Sequence, residues 1–125
     1  MEDKKLILLV DDDLTLREMY GERLKTEGFE IVQATNGAEA IQKAKEIKPA
    51  VVLLDIMMPK VNGFDVLKMI RSDAEIKDTP VIVLTALIQD VDRIQGKKLG
   101  ANDYIVKSET MPGEVIAKIK GVLKK

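Results

Sequence analysis

Apolar residues fall along this chain in two rhythms. Four short runs are continuous: Leu6–Val10, Val51–Leu54, Val81–Leu84 and Tyr104–Val106. They are rich in Val, Ile and Leu and do not alternate with polar residues. Continuous runs suit strands buried on both faces, as in a parallel sheet covered by helices. A further strand is expected at Phe29–Ala34. Between the runs the apolar positions take helical spacing: Leu16, Met19 or Tyr20, and Leu24; then Ala40, Ile41, Ala44 and Ile47; then Leu67 and Ile70; then Val91 and Ile94. The last segment carries Val115, Ile116, Ile119, Val122 and Leu123, the cleanest single-face stripe in the chain.

The punctuation agrees with that division. Gly28 and Gly100 stand where helix C-caps are expected, and Pro49 and Pro80 stand just ahead of apolar runs. Pro112 suits the first turn of the last helix. Asn36-Gly37 and Asn62-Gly63 have hairpin-turn composition, but a helical period follows each, so neither is read as a hairpin. Gly63 is expected to supply a backbone conformation that other residues resist. The result is five strand–helix units in 125 residues, which predicts an α/β layered fold with right-handed crossovers. Residues 1–125 are thus read as one domain, with no repeat, linker or low-complexity segment.

Composition narrows the function. The chain has 20 basic and 21 acidic residues, a net charge of −1, no Cys and no His. Near-neutral charge gives no electrostatic footprint for nucleic acid or an anionic membrane. Aromatics at 3% leave little to stack on bases. Lack of Cys and His excludes disulfides, thiolate or imidazole metal sites, a Ser-His-Asp triad and a phosphohistidine intermediate. The first apolar stretch is too short for a signal peptide or a membrane span, so a cytoplasmic protein is expected.

The candidate chemistry lies at the run ends. Leu6–Val10 leads into Asp11-Asp12-Asp13, Val51–Leu54 into Asp55, Val81–Leu84 into Thr85, and Tyr104–Val106 into Lys107. In an open parallel sheet, ligands bind beyond the carboxyl ends of the strands. Clustered carboxylates repel unless a cation is present. Without His or Cys that cation is a hard one with oxygen ligands, and magnesium fits. Lys107 suits a phosphoryl oxygen, the Thr85 hydroxyl can donate to the same group, and Ala86 leaves room beside it. One aspartate could then be a nucleophile forming an acyl phosphate. Taken singly, these residues have plainer readings. The acidic run can N-cap a helix, as Asp13 fits, although one cap needs one carboxylate. Thr85 alone is an ordinary strand residue and Lys107 alone a solvated lysine.

Four stretches together carry a resemblance: Leu8-Leu9-Val10-Asp11-Asp12-Asp13, Leu53-Leu54-Asp55-Ile56-Met57-Met58-Pro59 with Asn62-Gly63 behind it, Val83-Leu84-Thr85-Ala86, and Gly100-Ala101-Asn102-Asp103-Tyr104-Ile105-Val106-Lys107. In order and spacing the chain resembles the receiver domain of bacterial two-component response regulators over essentially its whole length. The resemblance implies a doubly wound, flavodoxin-like fold: five helices on a parallel sheet of order 2-1-3-4-5, an order taken from the family's chemotaxis member. It implies that Asp55 accepts a phosphoryl group from a histidine kinase or histidine phosphotransfer protein. Asp12 would bind Mg²⁺ directly, Asp11 largely through water, and the Met57 carbonyl would be another ligand, with Asp55 completing the set. Thr85 and Lys107 would hold the phosphoryl oxygens. Tyr104 would move inward with Thr85 as a switch pair, or else is an ordinary half-buried packing residue. The fourth helix, fifth strand and fifth helix would form the face read by a downstream protein.

Two details of this chain bear on that picture. Ser108 follows Lys107, where the family usually has a proline in a cis peptide; a cis bond before a non-proline residue costs roughly 3–4 kcal/mol, so it is not expected. In related receivers the positions of Met57 and Leu87 look onto the phosphoryl group. Neither can guide a water, so a long-lived phosphoryl state is expected. The domain is not expected to be an enzyme beyond its own phosphorylation and dephosphorylation. One rival is a receiver cut from a larger regulator with a DNA-binding or enzymatic output domain. A small aspartate-nucleophile phosphatase would need a cap domain for which there is no room. A flavin or nucleotide binder lacks a Gly-rich phosphate loop.

Overall fold

A computed structural model describes residues 5–10, 14–58, 61–85, 97–106 and 112–123. The elements alternate: β1 (Leu6–Val10), α1 (Leu14–Thr26), β2 (Glu30–Ala34), α2 (Gly37–Ile47), β3 (Val51–Asp55), α3 (Gly63–Ser72), β4 (Val81–Thr85), β5 (Asp103–Val106) and α4 (Pro112–Leu123). Four strands fall on the continuous apolar runs, and β2 on the further strand expected at Phe29–Ala34. The helix expected around Val91 and Ile94 lies outside the described residues, apart from helical Lys97 and Lys98 just before Gly100.

The five strands form one parallel sheet of order β2-β1-β3-β4-β5, the 2-1-3-4-5 order expected. Strand alternation divides the core between its faces. Ile7, Leu9, Val51, Leu53, Ile82, Leu84 and Ile105 pack with Leu24 of α1 and with Val115, Ile116, Ile119 and Val122 of α4. Leu8, Val10, Val52, Leu54 and Val81 pack on the other side with Ala40 and Ala44 of α2 and Val66, Leu67 and Ile70 of α3. Both faces are covered, which is why the runs read as continuous. Central β3 is buried at all five positions.

Local chemistry sets the helix ends. The Asn36 side chain accepts from the Glu39 N–H at 2.9 Å, and the Glu39 carboxylate accepts from the Thr35 N–H at 3.0 Å, a reciprocal cap on α2. Gly28 and Gly100 have φ of 93° and 97°, the left-handed backbone expected of them. Gly100 is also pressed by a neighbour. The Arg71 guanidinium, at the end of α3, donates to the Gly100 carbonyl at 2.7 and 3.1 Å, to those of Lys77 and Thr79 at 2.9 and 2.6 Å, and to Asn102 Oδ1 at 3.0 Å. Asn102 in turn accepts from the Val81 N–H at 2.9 Å and donates its own N–H to the Val81 carbonyl at 2.8 Å. One side chain thus ties α3, the segment leading to β4, and the segment leading to β5.

Candidate functional site

β3 ends on Asp55, which is 3% exposed and is the buried charged side chain among the described residues. Desolvating a carboxylate costs several kcal/mol, so apolar packing alone gives no reason for it. The register shows what surrounds the strand end. Leu54 pairs with Val10 on one side, Asp55 with Leu84 on the other, and Thr85 with Val106 one strand further. The exits of β1, β3, β4 and β5 therefore share one edge of the sheet. In sequence, Asp11 follows Val10 and Lys107 follows Val106. β2 lies at the outer edge, and the residues just beyond it, Thr35 and Asn36, are used to cap α2. This accounts for the absence of a candidate group there.

Of the expected site residues, Asp55, Tyr104 and the backbones of Met57 and Thr85 lie within the described residues. Asp11, Asp12, Ala86, Leu87 and Lys107 lie outside them, as do Asp13 and Ser108. The structure brings Asp55 and the end of the Thr85 strand together at the center of the edge. Tyr104 pairs with Val83 and packs half-buried on a cluster of Ile56, Phe64 and Val83, with Leu99 and Ala101 beside it. Its ring thus rests on the cluster that holds the residue after Asp55.

The loop after Asp55 is held at several points. The Ile56 N–H donates to the Leu84 carbonyl at 3.1 Å, and the Ile56 carbonyl accepts from the Gly63 N–H at 3.2 Å. Met57–Met58 then pairs antiparallel with Val61–Asn62, fixing the backbone of Met57. Asn62 closes that small ladder and caps α3, its side chain accepting from the Phe64 N–H at 2.8 Å. Asn62-Gly63 is therefore not a hairpin turn, as the helical period behind it implied. The ladder itself left no readable signal, because two-residue strands are too short for a period.

The expectation for Gly63 needs correction. Its φ is not positive, unlike those of Gly28 and Gly100. What it supplies is space: a Cβ there would lie 2.3 Å from Ile56 Cα and 2.6 Å from the Asp55 carbonyl oxygen. Arg71 and Asn102 were also missed. In sequence Arg71 is one basic residue in a last helical turn, and nothing local reveals that two of its acceptor residues lie 29 and 31 residues on.

A hard divalent cation fits what is described. There is a buried carboxylate and, two residues on, a backbone held by a ladder, at the edge where an acidic run leaves β1. Among the described residues no group of three or more acidic side chains is placed to hold a metal; Asp11 and Asp12 lie outside them.

Comparison with known proteins adds independent support. The model of the response regulator receiver domain matches residues 7–120. The chain is 45% identical over 119 residues to the transcriptional regulatory protein CpxR homolog of Haemophilus influenzae, covering 95% of this chain and 50% of that protein. It is 43% identical over 125 residues to the probable transcriptional regulator ycf27 of Guillardia theta, covering 100% of this chain and 48% of that one. It thus spans about half the length of these relatives. Its fold matches the chemotaxis protein CheY4 of Vibrio cholerae with a TM-score of 0.90 at 30% identity, covering 96% of this chain and 99% of that one. On its sequence motifs, its sheet order and these matches, the chain belongs to the response regulator receiver domain family.

Proposed function

We propose that this chain is a phosphorylation-controlled binding module whose phosphoacceptor is Asp55. The observation that carries the reading is the burial of that one carboxylate at the edge where four strands of a receiver fold end. An Asp55 oxygen attacks phosphorus, the bond from phosphorus to the histidine nitrogen of a sensor kinase or phosphotransfer protein breaks, and an acyl phosphate forms. Lys107 and Thr85 hold the phosphoryl oxygens, and Ala86 leaves them room. Asp11, Asp12, Asp55 and the Met57 carbonyl would hold Mg²⁺, which when bound offsets charge on the transferring group.

Drawing Thr85 toward the phosphoryl group lets Tyr104 turn inward on its cluster. That shifts an existing two-state equilibrium. The surface of the 86–98 segment, β5 and α4 then changes for a downstream protein. The domain works on itself and is not an enzyme in the ordinary sense, with no nucleic acid or membrane bound directly. Among the described residues no helix is long and apolar enough to cross a membrane, and a cytoplasmic location suits the proposed kinase partner.

A second reading is favored by length. The chain spans about half of relatives named as transcriptional regulators, which suits the receiver half of a longer regulator; the length of the native open reading frame decides it. The central test is incubation with Mg²⁺ and acetyl phosphate, followed by intact mass spectrometry. Wild-type protein should gain one phosphate and Asp55→Asn none. A wild-type protein that stays unmodified refutes the reading.

A further inference from the structure

The seat of α3 against β3 does more than support the loop. We propose that Gly63 is a positioning residue for Asp55: lacking a side chain, it lets the start of α3 abut the Asp55–Ile56 peptide, and that abutment fixes where the carboxylate stands. The inference rests on the reading of Asp55 as phosphoacceptor. Other glycines show the contrast. An added Cβ at Gly113 or Gly121 would meet nothing within 4 Å, and at Gly21 only Gln33 Nε2 at 3.8 Å. At Gly63 it would meet backbone, Ile56 Cα at 2.3 Å and the Asp55 carbonyl oxygen at 2.6 Å, with Ile56 Cβ at 3.0 Å.

Each side of this contact is held in place. The peptide is held through the Ile56 N–H on Leu84. The helix is held by buried Phe64, Val66, Leu67 and Ile70. Carbon atoms rest at about 3.5 Å or more, so a methyl group at position 63 forces an opening of about 1 Å. If the peptide turns, the Asp55 side chain turns with it. If α3 retreats instead, it pulls Asn62 and the ladder to Met57, and the loop after Asp55 moves. A misplacement of 1 Å costs on the order of 100-fold in a reaction that depends on orientation.

The test uses the full chain labeled with ¹³C-aspartate. The Asp55 carboxyl resonance is assigned by its loss in Asp55→Asn and read without Mg²⁺. Phosphorylation by acetyl phosphate with Mg²⁺ is then timed by intact mass. Gly63→Ala should move the resonance and slow phosphorylation by about 100-fold. Ile70→Val, which loosens the same helix away from the contact, and Gly121→Ala should leave both unchanged at equal folded fraction. A folded Gly63→Ala protein with an unmoved resonance or a wild-type rate overturns the proposal, as does an equal loss in Ile70→Val. If Gly63→Ala does not fold, Asn62→Ala decides by the same criteria, since it loosens the seat by removing the cap on Phe64. A wild-type protein that takes no phosphate, while Gly63→Ala still moves the resonance, refutes the phosphoacceptor reading and leaves the positioning role intact.

Discussion

Replacing Arg71 with alanine removes five hydrogen bonds at once, two of them to the Gly100 carbonyl. Burial lowers the guanidinium pKa, with Asp78 opposing, but arginine stays charged at any working pH. A hydrogen bond to a charged group contributes about 1.5–3 kcal/mol net, and an acceptor left unsatisfied in the interior adds to the loss. The contacts to Lys77 and Asn102 are exposed and count for little, whereas those to Gly100 and Thr79 are part-buried. Two effective contacts, discounted for solvent screening of a half-buried guanidinium, give a loss of about 2–4 kcal/mol. With a urea m-value near 2 kcal/mol per M, the midpoint should fall by about 1–2 M. Arg71→Lys should recover less than half, since one ammonium cannot span acceptors that a planar fork reaches together. A cycle with Asn102→Ala should show coupling, because both residues hold the start of β5. A loss below about 1 kcal/mol in Arg71→Ala, or full recovery by lysine, would refute the reasoning.

Three further outcomes can be checked alongside. Gly100→Ala should destabilize by more than Gly28→Ala: both strain a positive φ, at roughly 1–2 kcal/mol, but only at Gly100 would the new Cβ meet Arg71, at 2.8 Å from Nε; equal midpoints in urea would contradict this. Asp73 is held below the ordinary carboxylate range by the Glu75 N–H and then by Lys45, so its stabilizing effect is full above about pH 4 and fades as pH falls through its folded pKa. The midpoint gap between wild type and Asp73→Asn should therefore shrink in acid, and a gap that stays constant to pH 2 would rule it out. If apolar Met57 and Leu87 flank the phosphoryl group, as the family resemblance implies, the phosphorylated state should outlast seconds without a phosphatase, and Met57→Asn should shorten it in a timed mass assay; a label lost within seconds from wild type would overturn that.

Most of the architecture was legible because burial on both faces leaves a plain mark. Val51–Leu54 and Val81–Leu84 read as strands buried on both faces, and the stripe of α4 as one helix face. Asp55 stood out for the converse reason, as a carboxylate where packing asks for none. What escaped was long-range or steric. Arg71 reads as a surface charge until the fold brings Gly100 to it. Gly63 reads as a φ-determining residue until the backbone of Ile56 is found where its Cβ would be. The ladder at Met57–Met58 is shorter than any period.

The Lys43 ammonium, reaching from α2 to the Gln33 carbonyl, has a consequence for self-association. β2 is an outermost strand of the sheet and only part-covered along its length. A bare outer strand offers its backbone as a template on which another chain can add, the first step toward fibers. A lysine bonded there occupies one rung of that template and brings a charge that a second strand would have to desolvate. The protein thus blunts its outer strand against polymerization with a residue outside the set proposed to handle the phosphoryl group.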